Sequence, residues 1–539
     1  MTSVEVRNKQ PMGLGIVVSE ENRPSPTEFA LQLLKEVESN IRVGDFITTR
    51  GDPRILALVA NVVPQHTYYK IPLLVGASLR EGFELKDEAP PSASWTVVLA
   101  SVLGELGEGG FHFTGRSPHP GQGAEIASPL EVAKALGFRM NGVMIGTLSS
   151  RPDITVSLDP EIFMTEHIVT FGVTRFGKSY TNAVTIEEFA KANRAIIIID
   201  PHGEYWSLST PNNEPIEAHR LPPELEPRGF NTVTYSPPAF RDPALGEKLL
   251  TVSFSELEAS EIIELTGIEG ENQIAVVYES VRILHEKEPW QQYDVNGFIN
   301  QMRAVKDDLK MNVALESIAA RLHVLQRGIG VFGQNFNPKE MISPGQITVV
   351  NLSGLDLRAQ RVLVTTLLRR LFYERQWGNI PPFSVAIDEA QRFAPDGADP
   401  VSKRVIEELV KEGLKFGVNV LAMAQRPTEL SHTVRAQAET KIFHRISETT
   451  DVNYVAGLID KSAPGASESL PRLSKGEAIL TGACTNYVAV RMRTRSRQSK
   501  HAGRTGALRL RRKVGNGNGT KLNLAQKQIE TSRTASGEP

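Results

Sequence analysis

The hydrophobic rhythm of the chain changes several times. Up to about residue 155, short apolar runs such as "GLGIVVS", "VGDFITTR", "RILALVANVV" and "SWTVVLASVLG" are punctuated by Gly, Pro and Asp turns. That pattern predicts a small β-barrel or sandwich. "TEFALQLLKEV" fits a strand by its Thr and Phe and a helix by its Leu and Lys. From about Glu161 the rhythm becomes strand, loop, helix, strand: "HIVTF", "GVTRFGKS", "YTNAVTIEEFAKAN" and "RAIIIIDPHGEYW". Apolar positions at Ala183, Val184, Ile186, Phe189 and Ala190 carry a helical spacing. This is a βαβ unit and predicts a parallel sheet with both faces covered. Residues 207–342 break the pattern with "LGEKLLTVSFSELEASEIIELTGI", "ENQIAVVYESVRILHEK" and "LESIAARLHVLQRGI", read as a helical insertion. The α/β alternation then resumes with "QITVVNL", "AQRVLVTTLLRRLFYERQ", "FSVAIDEA", "SKRVIEELVKEGLKF" and "VNVLAMAQR".

The expected domains are therefore a β-barrel at 1–155, an α/β core at 156–206 and 343–495, a helical insertion at 207–342 and a basic tail at 496–539. Low apolar content and repeated Gly and Asn predict a disordered tail. The length, 539 residues, is more than one ordinary core accommodates. A net charge of −2 leaves any attraction to nucleic acid to local patches. The single cysteine, Cys484, excludes an intramolecular disulfide and fits a reducing cytoplasm. No stretch approaches a membrane span and no signal segment opens the chain, so the expectation is a soluble cytoplasmic protein.

Gly172, Val173, Thr174, Arg175, Phe176, Gly177, Lys178 and Ser179 satisfy the phosphate-loop pattern of two glycines, a lysine and a hydroxyl, with Tyr180 next in line. The glycines let backbone N–H groups approach phosphate oxygens. Lys178 reaches the β and γ phosphates of ATP, and the Ser179 hydroxyl can ligate Mg²⁺. The positive end of the following helix points at the same place. Arg175 and Phe176 fall at permissive positions. Arg175 either lies in solvent or reaches a phosphate or a neighbouring subunit, and the turn there would suit a smaller residue.

Two further strand ends carry chemistry. "SVAIDEAQRF" closes on Asp388, suited to hold Mg²⁺ through water, and Glu389, suited to activate the attacking water as general base. "AMAQRP" places Gln425 either beside the γ-phosphate as a water-orienting amide or as the cap of a loop. "DPHGEY" brings Asp200, His202 and Glu204 near the same edge. A one-His, two-acid metal site is weighed there against a structural turn carrying one supporting acid, and the turn is preferred.

Together, "HIVTFGVTRFGKS", "IIIIDPHGEY", "VVNLSGLD", "VAIDEAQRFAP" and "KFGVNVLAMAQRPTEL" resemble the HerA family of hexameric DNA-translocating ATPases, within the group that includes FtsK-type pumps and conjugation ATPases. The resemblance covers most of residues 1–495. It implies a RecA-like P-loop ATPase core, an N-terminal barrel of the family's type, and closing strands in "KGEAILTGACTNYVAVRMR". It also implies a homo-hexameric ring with ATP between subunits, duplex DNA through a central pore, and a separate nuclease of the NurA type as partner.

Two departures stand out. Glu166 occupies the place before His167 where the family tends to carry arginine. Lys411, Glu412, Gly413, Leu414 and Lys415 replace the family's R-E-G-R-K. An arginine acting across a subunit interface contributes about 10³ to 10⁵ in rate, and lysine lacks its planar fork. The substitutes are Arg404, Lys411, Lys415 and Arg426. A basic run from Arg491 through Arg493, Arg495, Arg497, Lys500, Arg504, Arg509, Arg511 and Arg512 to Lys513 reads either as a phosphate-attracting arm or as a solvated tail. The leading expectation is an ATP-driven DNA translocase. The alternatives are an ATPase scaffold for an effector in a phage-defence complex, and a conjugation-type DNA pump.

Overall fold

The computed structural model describes residues 13–501 except 20–23, 39–40, 72–74, 76–77, 81–92, 108–109, 214–224, 288–291, 306–308, 461–462 and 464. It divides into two units. One takes the chain to Phe163 with Arg175–Gly177 and Thr440–Thr494; the other takes Met164–Thr174, Lys178–Glu439 and the chain from Arg495 on. These units cut across the expected boundaries, because 440–494 groups with the N-terminal residues.

In the first unit, strands β1 (Gly15–Val18), β2 (Glu28–Leu33), β3 (Phe46–Thr49), β4 (Ile55–His66), β5 (Ser94–Gly107), β6 (Gly110–His112) and β7 (Gly123–Ile126) form one antiparallel sheet. Its order is β2-β1-β7-β3-β4-β5-β6, and a β2–β5 pairing closes it into a barrel. Irregular pairing at Leu56/Ala57 and Val59/Asn61 of β4 supplies local curvature. Val17, Phe29, Leu31, Ile47, Ile55, Val59 and Val98 fill the interior. The ambiguous "TEFALQLLKEV" is both things in turn, β2 followed by one 3₁₀ turn at Lys35–Val37. The same unit holds a second antiparallel set: β8 (Val143–Leu148), β9 (Thr155–Leu158), β17 (Thr440–Phe443), β18 (Glu477–Thr481) and β19 (Val490–Thr494).

The second unit is a parallel α/β layer. Strands β10 (Ile168–Phe171), β11 (Ala195–Asp200), β12 (Thr232–Ser236), β13 (Lys248–Leu249), β14 (Ile347–Asn351), β15 (Phe383–Ile387) and β16 (Asn419–Ala424) lie in the order β13-β12-β14-β11-β15-β16-β10. Every residue of β10, β11, β14, β15 and β16 is buried, as strands covered on both faces require. Helix α1 (Lys178–Lys191) follows β10. Helices α2 (Ala259–Thr266), α3 (Glu271–Lys287), α4 (Val295–Val305) and α5 (Leu309–His323) form the expected helical stretch. Helices α6 (Leu357–Gln376) and α7 (Val401–Glu412) return to the sheet layer, α6 starting where the Asp356 carboxylate accepts the Ala359 N–H at 2.9 Å. The reading of 207–342 as a mostly helical insertion omits the sheet strands β12 and β13. "TVTYS" enters the sheet as β12 beside β14, its β-branched and aromatic residues suiting a pleated surface.

The tail reading also changes. Arg495, Ser496, Arg497, Gln498 and Ser499 are all buried, so Arg495 and Arg497 of the basic run are interior rather than solvated, while Arg491 before them is exposed. The cause is a pair of buried acids on α1: Arg495 meets Glu187 at 3.0 Å and Glu188 at 2.6 Å. Arg504, Arg509, Arg511, Arg512 and Lys513 lie outside the described residues. No helix among the described residues is long and apolar enough to cross a membrane.

Candidate active site

The phosphate-loop backbone carries the dihedrals its glycines were expected to supply. Gly172 has φ 153° and Gly177 φ 118°. A Cβ at Gly177 would sit 3.3 Å from Gly476 and from the His444 ring, a tight contact at a φ that side chains rarely adopt. Arg175 is left-handed at φ 73° and exposed, a conformation that costs a non-glycine residue about 1–2 kcal/mol. Phe176 anchors the loop. The Arg445 guanidinium lies 4.7 Å over its ring, and its carbonyl accepts the Gly476 N–H at 3.0 Å. Those contacts hold the turn without a small residue.

Sheet order assembles the rest. Strand β16, which Gln425 follows, pairs in parallel with β10 on one side and with β15, which Asp388 follows, on the other. Ligands of open α/β sheets bind at these carboxyl ends. Glu389 is the centre of the cluster. Its Oε1 accepts from Lys178 Nζ at 3.2 Å. Its Oε2 accepts from Gln425 Nε2 at 2.9 Å and from Gln391 Nε2 at 2.7 Å. The Glu389 backbone is left-handed, φ 49° and ψ 47°, a strained conformation of the kind that collects at functional sites. The expected partners Lys178, Asp388, Glu389 and Gln425 thus share one edge. Gln391 was not anticipated.

Electrostatics separates the two acids. Asp388 is fully buried and pushed up to about 7 by that burial; Lys178 opposes the rise, while the Glu389, Asp200 and Glu204 carboxylates add to it. Burial also raises Glu389, but the Lys178 charge and the hydrogen bonds from Lys178, Gln391 and Gln425 together hold it below the usual carboxylate value. The cluster therefore favours the ionised form of Glu389, beside an acid that gains from a nearby cation. Mg²⁺ fits this donor set: Asp388 is a buried oxygen donor crowded by like charge, and Ser179 lies in the first turn of α1. Hard oxygen ligands shared with water and phosphate are what this ion prefers.

Asp200 is also buried and raised to about 6 by that burial, against the pull of three backbone hydrogen bonds. Its carboxylate accepts the N–H groups of His202 at 3.1 Å, Gly203 at 2.7 Å and Tyr205 at 3.0 Å. Among the described residues no three His, Cys, Asp or Glu side chains gather as a metal-binding group. "DPHGEY" is thus a turn organised by Asp200, with the Glu204 charge felt at Asp388. The surface cations are separate from this edge cluster's bonds: Arg404 pairs with Asp399 at 3.5 Å, Lys411 with Glu407 at 3.8 Å, Lys415 with Glu412 at 2.5 Å and Arg426 with Glu429 at 3.6 Å.

Residues 143–371 match the family described as "Helicase HerA, central domain". The chain is 24% identical to the DNA double-strand break repair helicase HerA of Pyrococcus furiosus, over 82% of this chain and 86% of that one. It is 27% identical to the helicase of the same name from Sulfolobus acidocaldarius, over 83% and 87%. Among solved structures, VirB4 of Thermoanaerobacter pseudethanolicus is similar at 12% identity and a TM-score of 0.48, over 67% of this chain and 98% of that one. With a phosphate loop, a paired acid and a bridging amide gathered at one sheet edge, the chain is a P-loop ATPase similar to the HerA-named helicases over most of its length, and its residues 143–371 match that family's central domain.

Proposed function

We propose that this ATPase drives movement along DNA as a homo-hexameric ring, with duplex DNA in a central pore and a separate nuclease of the NurA type working on the DNA end. The observation that carries the hydrolytic half is the bridged cluster of Lys178, Glu389 and Gln425. In it Lys178 neutralises the very carboxylate that must later act as base. When ATP enters, its β and γ phosphates compete for Lys178. Glu389 Oε1 is then released to face the attacking water, while Gln425 keeps Oε2 in place. Asp388 and Ser179 would hold Mg²⁺, which would supply charge neutralisation of the phosphates. The DNA half rests on the HerA-named helicases to which the chain is similar over most of its length.

ATP hydrolysis with and without linear duplex DNA tests the reading. Turnover is expected to rise several-fold with DNA, and Lys178→Ala and Glu389→Gln to abolish it in both conditions. Turnover that depends on both residues but ignores DNA would favour the second reading, an ATPase scaffold that activates an effector. One observation favours that alternative: lysines stand at 411 and 415, each paired with a glutamate of its own chain, and lysine is the poorer trans-acting group.

A further inference from the structure

The turn after β15 places a second amide on the catalytic carboxylate. Gln391 lies in the 3₁₀ turn Ala390–Arg392, entered directly from the left-handed Glu389. Its Nε2 donates to Glu389 Oε2 at 2.7 Å, closer than the 2.9 Å bond from Gln425 Nε2 to the same oxygen. A carboxylate can only accept, so both amides are fixed in orientation, nitrogen toward Glu389. The other end of Gln391 is unusual. Its Oε1 is buried and has no partner among the described protein groups, although buried acceptors are nearly always satisfied by protein or ordered water.

We propose that Gln391 is a positioning residue for hydrolysis, clamping Glu389 Oε2 jointly with Gln425 and offering its own Oε1 as a second acceptor for the attacking water. The proposal rests on Glu389 acting as the general base. In the reaction it serves, the water oxygen attacks the γ-phosphorus and one water proton passes to Glu389 Oε1. The bond from that phosphorus to the β–γ bridging oxygen breaks, and ADP leaves with the electron pair. The second water proton needs an acceptor to fix the direction of the attacking lone pair, and Gln391 Oε1 is a buried acceptor with capacity to spare. One short turn thereby sets both the base and the water.

Gln391→Met keeps the side-chain size and removes both polar ends. Single-turnover hydrolysis, read with enzyme in excess so that slow rates are measurable, is expected to slow by up to about 100-fold, the cost of a small misplacement of a reacting group. The Kd for a fluorescent non-hydrolysable ATP analogue should stay within about twofold, and the melting midpoint should not move, a split that marks loss of transition-state positioning. Placed on a Glu389→Gln background, the same substitution should cost less than about twofold further, because groups acting as one unit are not additive. An unchanged rate in Gln391→Met while Glu389→Gln is inactive would overturn the proposal alone. So would a full additional loss on the Glu389→Gln background, or a fall in melting midpoint and analogue binding that tracks the rate. Parent-like hydrolysis by Glu389→Gln would instead remove the assignment of the base itself.

Discussion

His167, just before β10, is 1% exposed, and its Nδ1 accepts the Val420 N–H at 3.0 Å. That bond requires a neutral ring, and burial depresses its pKa from 6.5 to about 4. A histidine depressed on folding leaves stability intact at neutral pH. Stability is lost as pH falls from 6.5 toward 4, where the unfolded chain binds a proton that the folded chain refuses. Between pH 7 and pH 5 the loss amounts to about 2 kcal/mol. His167→Asn retains a side-chain acceptor but cannot titrate. Its melting midpoint is therefore expected to fall less than the parent's over that interval, and parallel pH profiles would show that the ring titrates freely. The acids at the catalytic edge were legible as residue types because each ends a short apolar run. Gln391 was not, although it stands in plain sight in "DEAQRF". Its role depends on the left-handed turn at Glu389, which no periodicity announces.

At the level of elements, the largest departure from expectation is the chain from Arg495 to His501. It straps onto α1 through Glu187, whose carboxylate takes Arg495, the N–H of Gln498 and both the N–H and hydroxyl of Ser499. Tyr180 accepts the Arg497 N–H at 2.8 Å, one residue past Ser179 of the phosphate loop. On its other side the strap bonds Thr210 and Asn212, downstream of the Asp200 turn. Local sequence could not reveal this, because Arg495 and Glu187 stand 308 positions apart and a run of arginines without acids reads as solvated. A signal was present in "TIEEFA": Glu187 and Glu188 sit between the buried Ile186 and Phe189 on a helix wrapped on all sides. The βαβ strands, by contrast, were legible because covered strands must be continuously apolar, while β12 was hidden by its brevity inside a mostly helical stretch. Arg495→Ala removes the buried cation that Glu187 and Glu188 share, leaving Glu188 with Lys191 at 2.5 Å and Glu187 with Arg497 at 3.7 Å, a change worth up to about 3–5 kcal/mol. Its melting midpoint should fall by about 10 °C. Arg491→Ala removes a half-exposed arginine from the buried Glu477, whose carboxylate keeps the Ser474 N–H at 2.9 Å, and it should shift the midpoint by less than about 3 °C. Equal shifts in the two variants would deny the strap its structural role.

On the scale of the whole molecule, the parallel sheet turns distance along the chain into proximity, since Lys178 and Glu389 are 211 positions apart and touch. On the proposed reading each subunit would own a base, a phosphate loop and Asp388 for Mg²⁺, but among the described residues the side chains bonded to Glu389 are a lysine and two glutamines, with no arginine. In the proposed ring the missing charge comes from a neighbour. Of the four candidate cations Arg404 is the most exposed, at 74%, and its ion pair to Asp399 is loose at 3.5 Å. It also has the planar fork that Lys411 and Lys415 lack. Arg404→Ala is therefore expected to lower DNA-stimulated hydrolysis by about 10³-fold or more without changing nucleotide binding. Lys178→Ala, inactive for a different reason, retains Arg404. When the two proteins are mixed in equal amounts and allowed to exchange subunits, roughly a quarter of the head-to-tail interfaces unite an intact phosphate loop with an intact arginine. Activity should return to about that fraction of the parent's, whereas two variants defective within one subunit stay silent in any mixture. Failure of the mixture to recover, with exchange demonstrated by a subunit label, would place the finger elsewhere or leave each subunit to hydrolyse alone.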